Sequence, residues 1–104
     1  MTESEFNQQV DAVLRRIEEA VDGGDADIEC ETSGGILELS FENGSKIIVN
    51  RQTAAREIWV AAKSGGYHFN WRDGGWHDTR DGGELFAALS HYASAQAGEE
   101  VLFK

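Results

Sequence analysis

The sequence has no proline and only one cysteine, Cys30, among its 104 residues. A lone thiol excludes an internal disulfide, and any zinc or iron–sulfur site built from the cysteines of one chain. No purely apolar run is longer than Ile58-Trp59-Val60-Ala61-Ala62, far short of the roughly 20 residues that a membrane-spanning helix needs. Basic residues are scarce: 9 Lys and Arg stand against 19 Asp and Glu, a net charge of −10. Such a field repels nucleic acid and anionic lipid, and it attracts cations and basic protein surfaces. Signatures of catalysis are missing as well: there is no Gly-x-Ser-x-Gly, no P-loop, no Gly-x-Gly-x-x-Gly and no His-Glu-x-x-His. The segment Met1-Thr2-Glu3-Ser4-Glu5 is acidic and lacks the basic and apolar regions of a signal peptide, so a cytoplasmic location is expected.

What is present reads as one globular domain over residues 1–104, with 40% apolar residues and three tryptophans. Glycine does the punctuation, in five Gly-Gly pairs at 23–24, 34–35, 65–66, 74–75 and 82–83. Thr2 with Glu5 forms a possible capping box. Phe6, Val10, Val13, Leu14, Ile17 and Val21 then recur every three or four residues, a helical stripe that Gly23-Gly24 ends. Alternation from Ile28 to Asp78 predicts about six strands in an antiparallel meander, with Asn43-Gly44 as a hairpin turn. Asp81 with Glu84 predicts the cap of a second helix, whose stripe is Leu85, Phe86, Leu89, Tyr92 and Ala93 and whose end is Gly98. The tail Val101-Leu102-Phe103-Lys104 is apolar enough to pack. The expected fold class is α+β: a two-layer sandwich with the N- and C-terminal helices on one face of a roughly six-stranded antiparallel sheet.

The negative charge is concentrated. Residues 1–42 hold 12 acids and two bases, a net of −10, whereas residues 43–104 hold seven of each sign. Glu18, Glu19 and Asp22 occupy one end of the first helix, and Glu18 and Asp22 share a face by their spacing of four. Asp25, Asp27, Glu29 and Glu31 follow, the last three on one face of the first strand and beside the helix end. Carboxylate oxygens are hard ligands that suit Mg²⁺, Ca²⁺, Mn²⁺ and iron. No calcium-loop pattern and no neighbouring histidine fixes a geometry, so any site here is expected to be open and weak. The alternative is a solvated acidic face.

His68, His77 and His91 fall on separate elements and read as surface or edge histidines. Cys30 alternates with acids and points toward the core. A buried thiol among carboxylates has a raised pKa and is inert. Asn50, Arg51, Gln52 and Trp59 are polar or aromatic residues of the sheet. If Ile58, Val60 and Ala62 face the helices, Trp59 faces away, either as an interface anchor or covered by neighbouring aliphatic stems.

Several stretches together make the sequence recognisable. Ser4-Glu5-Phe6, Phe41-Glu42-Asn43-Gly44-Ser45-Lys46-Ile47-Ile48, Asn50-Arg51-Gln52, Ile58-Trp59-Val60-Ala61 and Gly65-Gly66-Tyr67-His68-Phe69 resemble the frataxin family, in particular its bacterial members. Element order and length match over the whole chain, although Thr53-Ala54-Ala55-Arg56 lacks a proline often seen there. The resemblance implies two helices on one face of an antiparallel sheet. It implies weak binding of iron, as Fe²⁺ or Fe³⁺, along an acidic ridge whose matching positions are Glu18, Glu19, Asp22, Asp25, Asp27, Glu29 and Glu31. It also implies association with the cysteine desulfurase and scaffold machinery of iron–sulfur cluster assembly, as iron donor or as regulator, through Asn50, Arg51, Gln52 and Trp59. The expected state is a monomer, with metal-dependent oligomers left open. The enzymatic alternative is a ferroxidase acting at the ridge; a further alternative is an acidic protein-binding module with no metal role.

Overall fold

Glu3–Asp22 forms helix α1, opened by the capping box: Thr2 Oγ1 accepts from Glu5 N and Glu5 Oε1 accepts from Thr2 N. The computed structural model describes residues 1–103; Lys104, the last residue of the expected apolar tail, lies outside them. Phe6, Val10, Val13, Leu14 and Ile17 are buried on one side of α1, and Gly23 closes it. Each such side chain contributes about 1.5–3 kcal/mol by leaving water, so this stripe holds the helix to the sheet.

The sheet is a six-stranded antiparallel meander in the order β1 (Ile28–Ser33), β2 (Ile36–Phe41), β3 (Lys46–Gln52), β4 (Glu57–Ala62), β5 (Gly65–Arg72) and β6 (Gly75–Asp78). Strands β1 and β6 are its two edges. The inner face carries Leu37, Leu39, Phe41, Ile47, Val49, Ile58, Val60, Phe69 and Trp76, all buried. Helix α2 (Leu85–Ala97) buries Leu85, Phe86, Leu89, Ala93 and Gln96 and ends at Gly98, whose φ of 72° is left-handed. The two-layer α+β sandwich expected from the sequence is therefore the observed one, with both helices on one face.

Helix α2 starts later than the pattern predicts. Glu84, not Asp81, is its cap, accepting from Phe86 N and Ala87 N. Asp81 is committed elsewhere, accepting from Gly83 N at 2.8 Å in the turn before the helix. The polar Gln96 is buried and ties the end of α2 to two hairpins. Its Oε1 accepts from Lys63 N at 2.9 Å, and its Nε2 donates to Lys46 O at 3.2 Å and Ser45 Oγ at 3.1 Å. In the tail, Val101 and Phe103 are buried and Leu102 is exposed. Ser94 Oγ and Ser90 Oγ accept from their backbone N–H groups. Among the described residues, no helix is long and apolar enough to cross a membrane.

Candidate functional site

Two surfaces merit attention: the edge formed by α1 and β1, and the sheet face turned away from the helices. The seven ridge acids, Glu18, Glu19, Asp22, Asp25, Asp27, Glu29 and Glu31, are all exposed. The ion pairs found among the described residues, Lys46–Glu38, Arg51–Asp11 and His68–Glu57, include none of them.

Spacing alone puts Glu29 and Glu31 beside the helix end. The structure instead puts β1 between them. Cys30 pairs with the buried Leu39 and so lies on the inner face, while Glu29 and Glu31 pair with Ser40 and Glu38 on the open face. The helix acids meet β1 on its inner side. Burial, the larger cause, and the Glu18 and Asp22 carboxylates together push the Cys30 thiol up to about 11. The remaining acids spread away from this point. Glu19 borders a hollow with Arg16, Ala20 and Leu102; Asp25 borders one with Glu100 and Val101; Asp27 borders one with Phe41, Glu42 and Glu99. Among the described residues, no three His, Cys, Asp or Glu side chains gather closely enough to hold one metal ion. The arrangement is a charged edge straddling β1, not a preformed cage, and it suits loosely held, exchangeable cations.

On the open face, Trp59 stands between Asn50 of β3 and His68 of β5, its register partners. Its indole is half-buried and stacks on the His68 ring, with centroids 4.2 Å apart and planes 7° from parallel. Its Nε1 donates to Glu57 Oε1 at 2.8 Å, and the same oxygen lies 3.8 Å from His68 Nδ1. Gln52 sits opposite Glu57 on this face. Beside Trp59 a shallow hollow of about 220 Å³ is walled by Ile48, Trp59 and His68 and includes the small residues Ala61 and Gly66.

Arg51 does not belong to this face. Strand alternation turns it toward α1, where Nη1 donates to Asn7 Oδ1 at 2.9 Å and Nη2 to Asp11 Oδ1 at 2.5 Å. Its neighbour Gly35, at a φ of 80°, leaves room for it: a Cβ there would come within 3.2 Å of Arg51 Nε. Arg51 thus anchors α1 from beneath the surface that Asn50, Gln52 and Trp59 present.

Sequence reasoning passes over Glu38, Glu57 and the pairing of His68 with Trp59. Glu38 lies opposite Glu31, a like-charge pair that Lys46 partly offsets from 3.5 Å. Period-two alternation within β2 carries the signal for Glu38. The Glu57–Trp59–His68 group needs the β4–β5 register.

The frataxin-like domain family model matches residues 1–99. The chain is 59% identical over 101 residues to the iron-sulfur cluster assembly protein CyaY of Paraburkholderia phymatum, spanning 97% of this chain and 96% of that one. It is 58% identical over 104 residues to the protein of the same name from Paraburkholderia phytofirmans, spanning 100% and 99%. Among solved structures, a frataxin from Psychromonas ingrahamii of the CyaY protein family matches with a TM-score of 0.93 and 36% identity, covering 100% of this chain and 99% of that one. Trimeric frataxin from Saccharomyces cerevisiae complexed with ferrous iron matches with a TM-score of 0.73, covering 95% and 88%; at 24% identity that likeness speaks for the fold alone.

Proposed function

The chain belongs to the frataxin-like domain family, and from that premise we propose that residues 1–104 form one such domain acting in cytoplasmic iron–sulfur cluster assembly. In this reading the protein is a monomeric accessory that carries iron weakly and docks on the cysteine desulfurase and scaffold machinery, donating iron or setting the rate of assembly. The observation that carries it is the open face, which presents Trp59 and the acids Glu29, Glu31 and Glu38 on one side of one sheet. An aromatic anchor beside a row of carboxylates is complementary to a basic protein surface with an apolar centre.

Iron is cargo here, not a resident cofactor. Glu18, Glu19 and Asp22, with Asp25, Asp27, Glu29 and Glu31 around them, would hold Fe²⁺ or Fe³⁺ as hard oxygen donors on an exposed edge. Exposed carboxylates without a gathered ligand set support weak, unselective binding over a ferroxidase centre, which requires preorganised ligands. Asn50, Gln52 and Trp59 form the docking surface, and Arg51 braces it from the helix side.

The test is desulfurase-driven cluster assembly across iron concentrations, with and without the protein. Trp59→Ala should abolish the effect at every salt concentration while the circular dichroism spectrum stays native. The triple variant Glu18→Ala, Glu19→Ala, Asp22→Ala should weaken both iron titration and a salt-sensitive part of docking, since screening acts within about 8 Å near 0.15 M salt. Unchanged iron binding in the triple variant refutes the ridge; normal docking of Trp59→Ala refutes the face.

A further inference from the structure

We propose that His68 places the Trp59 docking face under proton control: the neutral imidazole–indole pair accepts a basic partner surface, and the protonated pair rejects it. The proposal rests on the docking role given above to Trp59, and it adds the regulation of that surface.

The geometry closes a three-membered set across two adjacent strands. Trp59 Nε1 donates to Glu57 Oε1 at 2.8 Å, His68 Nδ1 lies 3.8 Å from that same oxygen, and the two rings stack at 4.2 Å. At 3.8 Å a neutral imidazole makes no hydrogen bond. The pair then presents a flat, uncharged aromatic surface, with the indole N–H already engaged. A proton on His68 changes both contacts. The imidazolium gains the carboxylate oxygen as an ion-pair partner, and the indole face attracts it as a π system attracts a cation.

Covering the face reverses the balance. A partner that packs on Trp59 strips water from His68, whose side chain is 45% exposed in the free protein. Burying an imidazolium is costly. The acids Glu29, Glu31 and Glu38 on the same face select a basic partner, and a basic partner also repels the imidazolium. Docking and protonation thus compete, and by linkage docking must expel the proton.

The other charged groups near His68 come from each neighbouring element. On β4, Glu57 favours the proton. On β5, Arg72 shares the face and donates to Asp78 O at 3.2 Å. On β6, His77 has its Nδ1 3.0 Å from Gly82 O, which can only accept, so that nitrogen carries hydrogen. Beyond β6, Arg80 donates to Gly66 O at 2.9 Å, and Lys63 lies in the β4–β5 turn. Of all these groups, Glu57 is the one within ion-pair distance of His68. On β3, Asn50 and Gln52 are neutral.

Two measurements on the full chain test the proposal. In ¹H–¹⁵N spectra, the Trp59 indole signal, assigned by its loss in Trp59→Phe, should move in a single proton step between pH 5 and 8.5. The step should vanish in His68→Phe, which keeps a ring for stacking, and in His68→Gln. Its midpoint should fall in Glu57→Gln, which keeps an acceptor for the indole but not the charge. A flat signal, or a step that survives both His68 variants, overturns the proposal. With cysteine desulfurase as the probe, wild-type affinity should drop several-fold from pH 8 to pH 6, and His68→Phe should bind equally at both. An equal drop in the variant overturns proton control while leaving docking intact. Absence of wild-type binding at either pH instead overturns the docking role, and the proposal falls with it.

Discussion

The Cys30 thiol reports on the acidic edge, and its reactivity can be worked out. An ordinary cysteine titrates near 8.5, so at pH 8 about a quarter of it is thiolate. Cys30, pushed up to about 11, holds about one thiolate in a thousand at that pH. Thiolate nucleophilicity rises with pKa along a Brønsted slope of about 0.4–0.5, which returns roughly tenfold. The net expectation is alkylation by iodoacetamide about twentyfold slower in the folded protein than in urea-unfolded chain at pH 8. Simple shielding would also slow the reaction, but the pH profile separates the two. A raised pKa makes the rate climb about tenfold per pH unit through pH 8–10, with no plateau near 8.5. Burial is the larger cause and the Glu18 and Asp22 carboxylates the smaller. Glu18→Gln with Asp22→Asn should therefore recover less than half of the shift, and La³⁺ bound at these acids should speed alkylation in the wild type only. The same sign governs stability: the neutral thiol is favoured in the fold, so its contribution is intact below about 8.5 and is lost as pH climbs through about 11. A folded-state rate equal to the unfolded one, or a profile that levels near 8.5 and ignores both substitutions, would refute the placement of Glu18 and Asp22 over Cys30.

Repulsion along the edge should make thermal stability respond to ions. Added salt should raise Tm, calcium or iron should raise it further, and Glu19→Gln or Asp22→Asn should raise it in low salt while weakening iron binding; about 1 kcal/mol moves Tm by several degrees in a domain of this size. A Tm flat in salt and unmoved by cations contradicts this. Near the C-terminal end of α2, Gln96→Ala removes a buried amide that satisfies Lys63 N and Lys46 O, and should cost about 1–3 kcal/mol in urea unfolding; Ser45→Ala, which loses a single partner of that amide, should cost less.

Most of the fold is legible in the sequence because its signals are local. The capping box at Thr2 and Glu5, the stripe from Phe6 to Ile17 and the strand at Glu57–Ala62 each follow from spacing within a few residues. The start of α2 is less legible. Asp81 and Glu84 both suit a cap, and Asp81 is taken up by the turn, where Gly82 adopts a φ of 77° and Asp81 accepts from Gly83 N. The candidate site divides in the same way. Exposure of the acids follows from composition. Their distribution about β1 depends on which face α1 covers, a tertiary fact. Arg51 is the instructive case: alternation alone sets it opposite Asn50 and Gln52, but its partners Asn7 and Asp11 lie some 40 residues earlier. The Glu57–Trp59–His68 set required the β4–β5 register, which the turn between those strands fixes.

Strand β1 pairs only with β2, which leaves a row of its peptide groups free to recruit a strand from another molecule. Glu29 and Glu31 along it, with Glu18 and Asp22 above, are exposed, and like charges facing one another would disfavour pairing of two copies of this edge. The acids proposed to hold a cation would therefore also guard against edge-to-edge assembly. In the proposed role, a bound cation would lower that guard in proportion to the charge it cancels, so cation binding and self-association would draw on the same carboxylates.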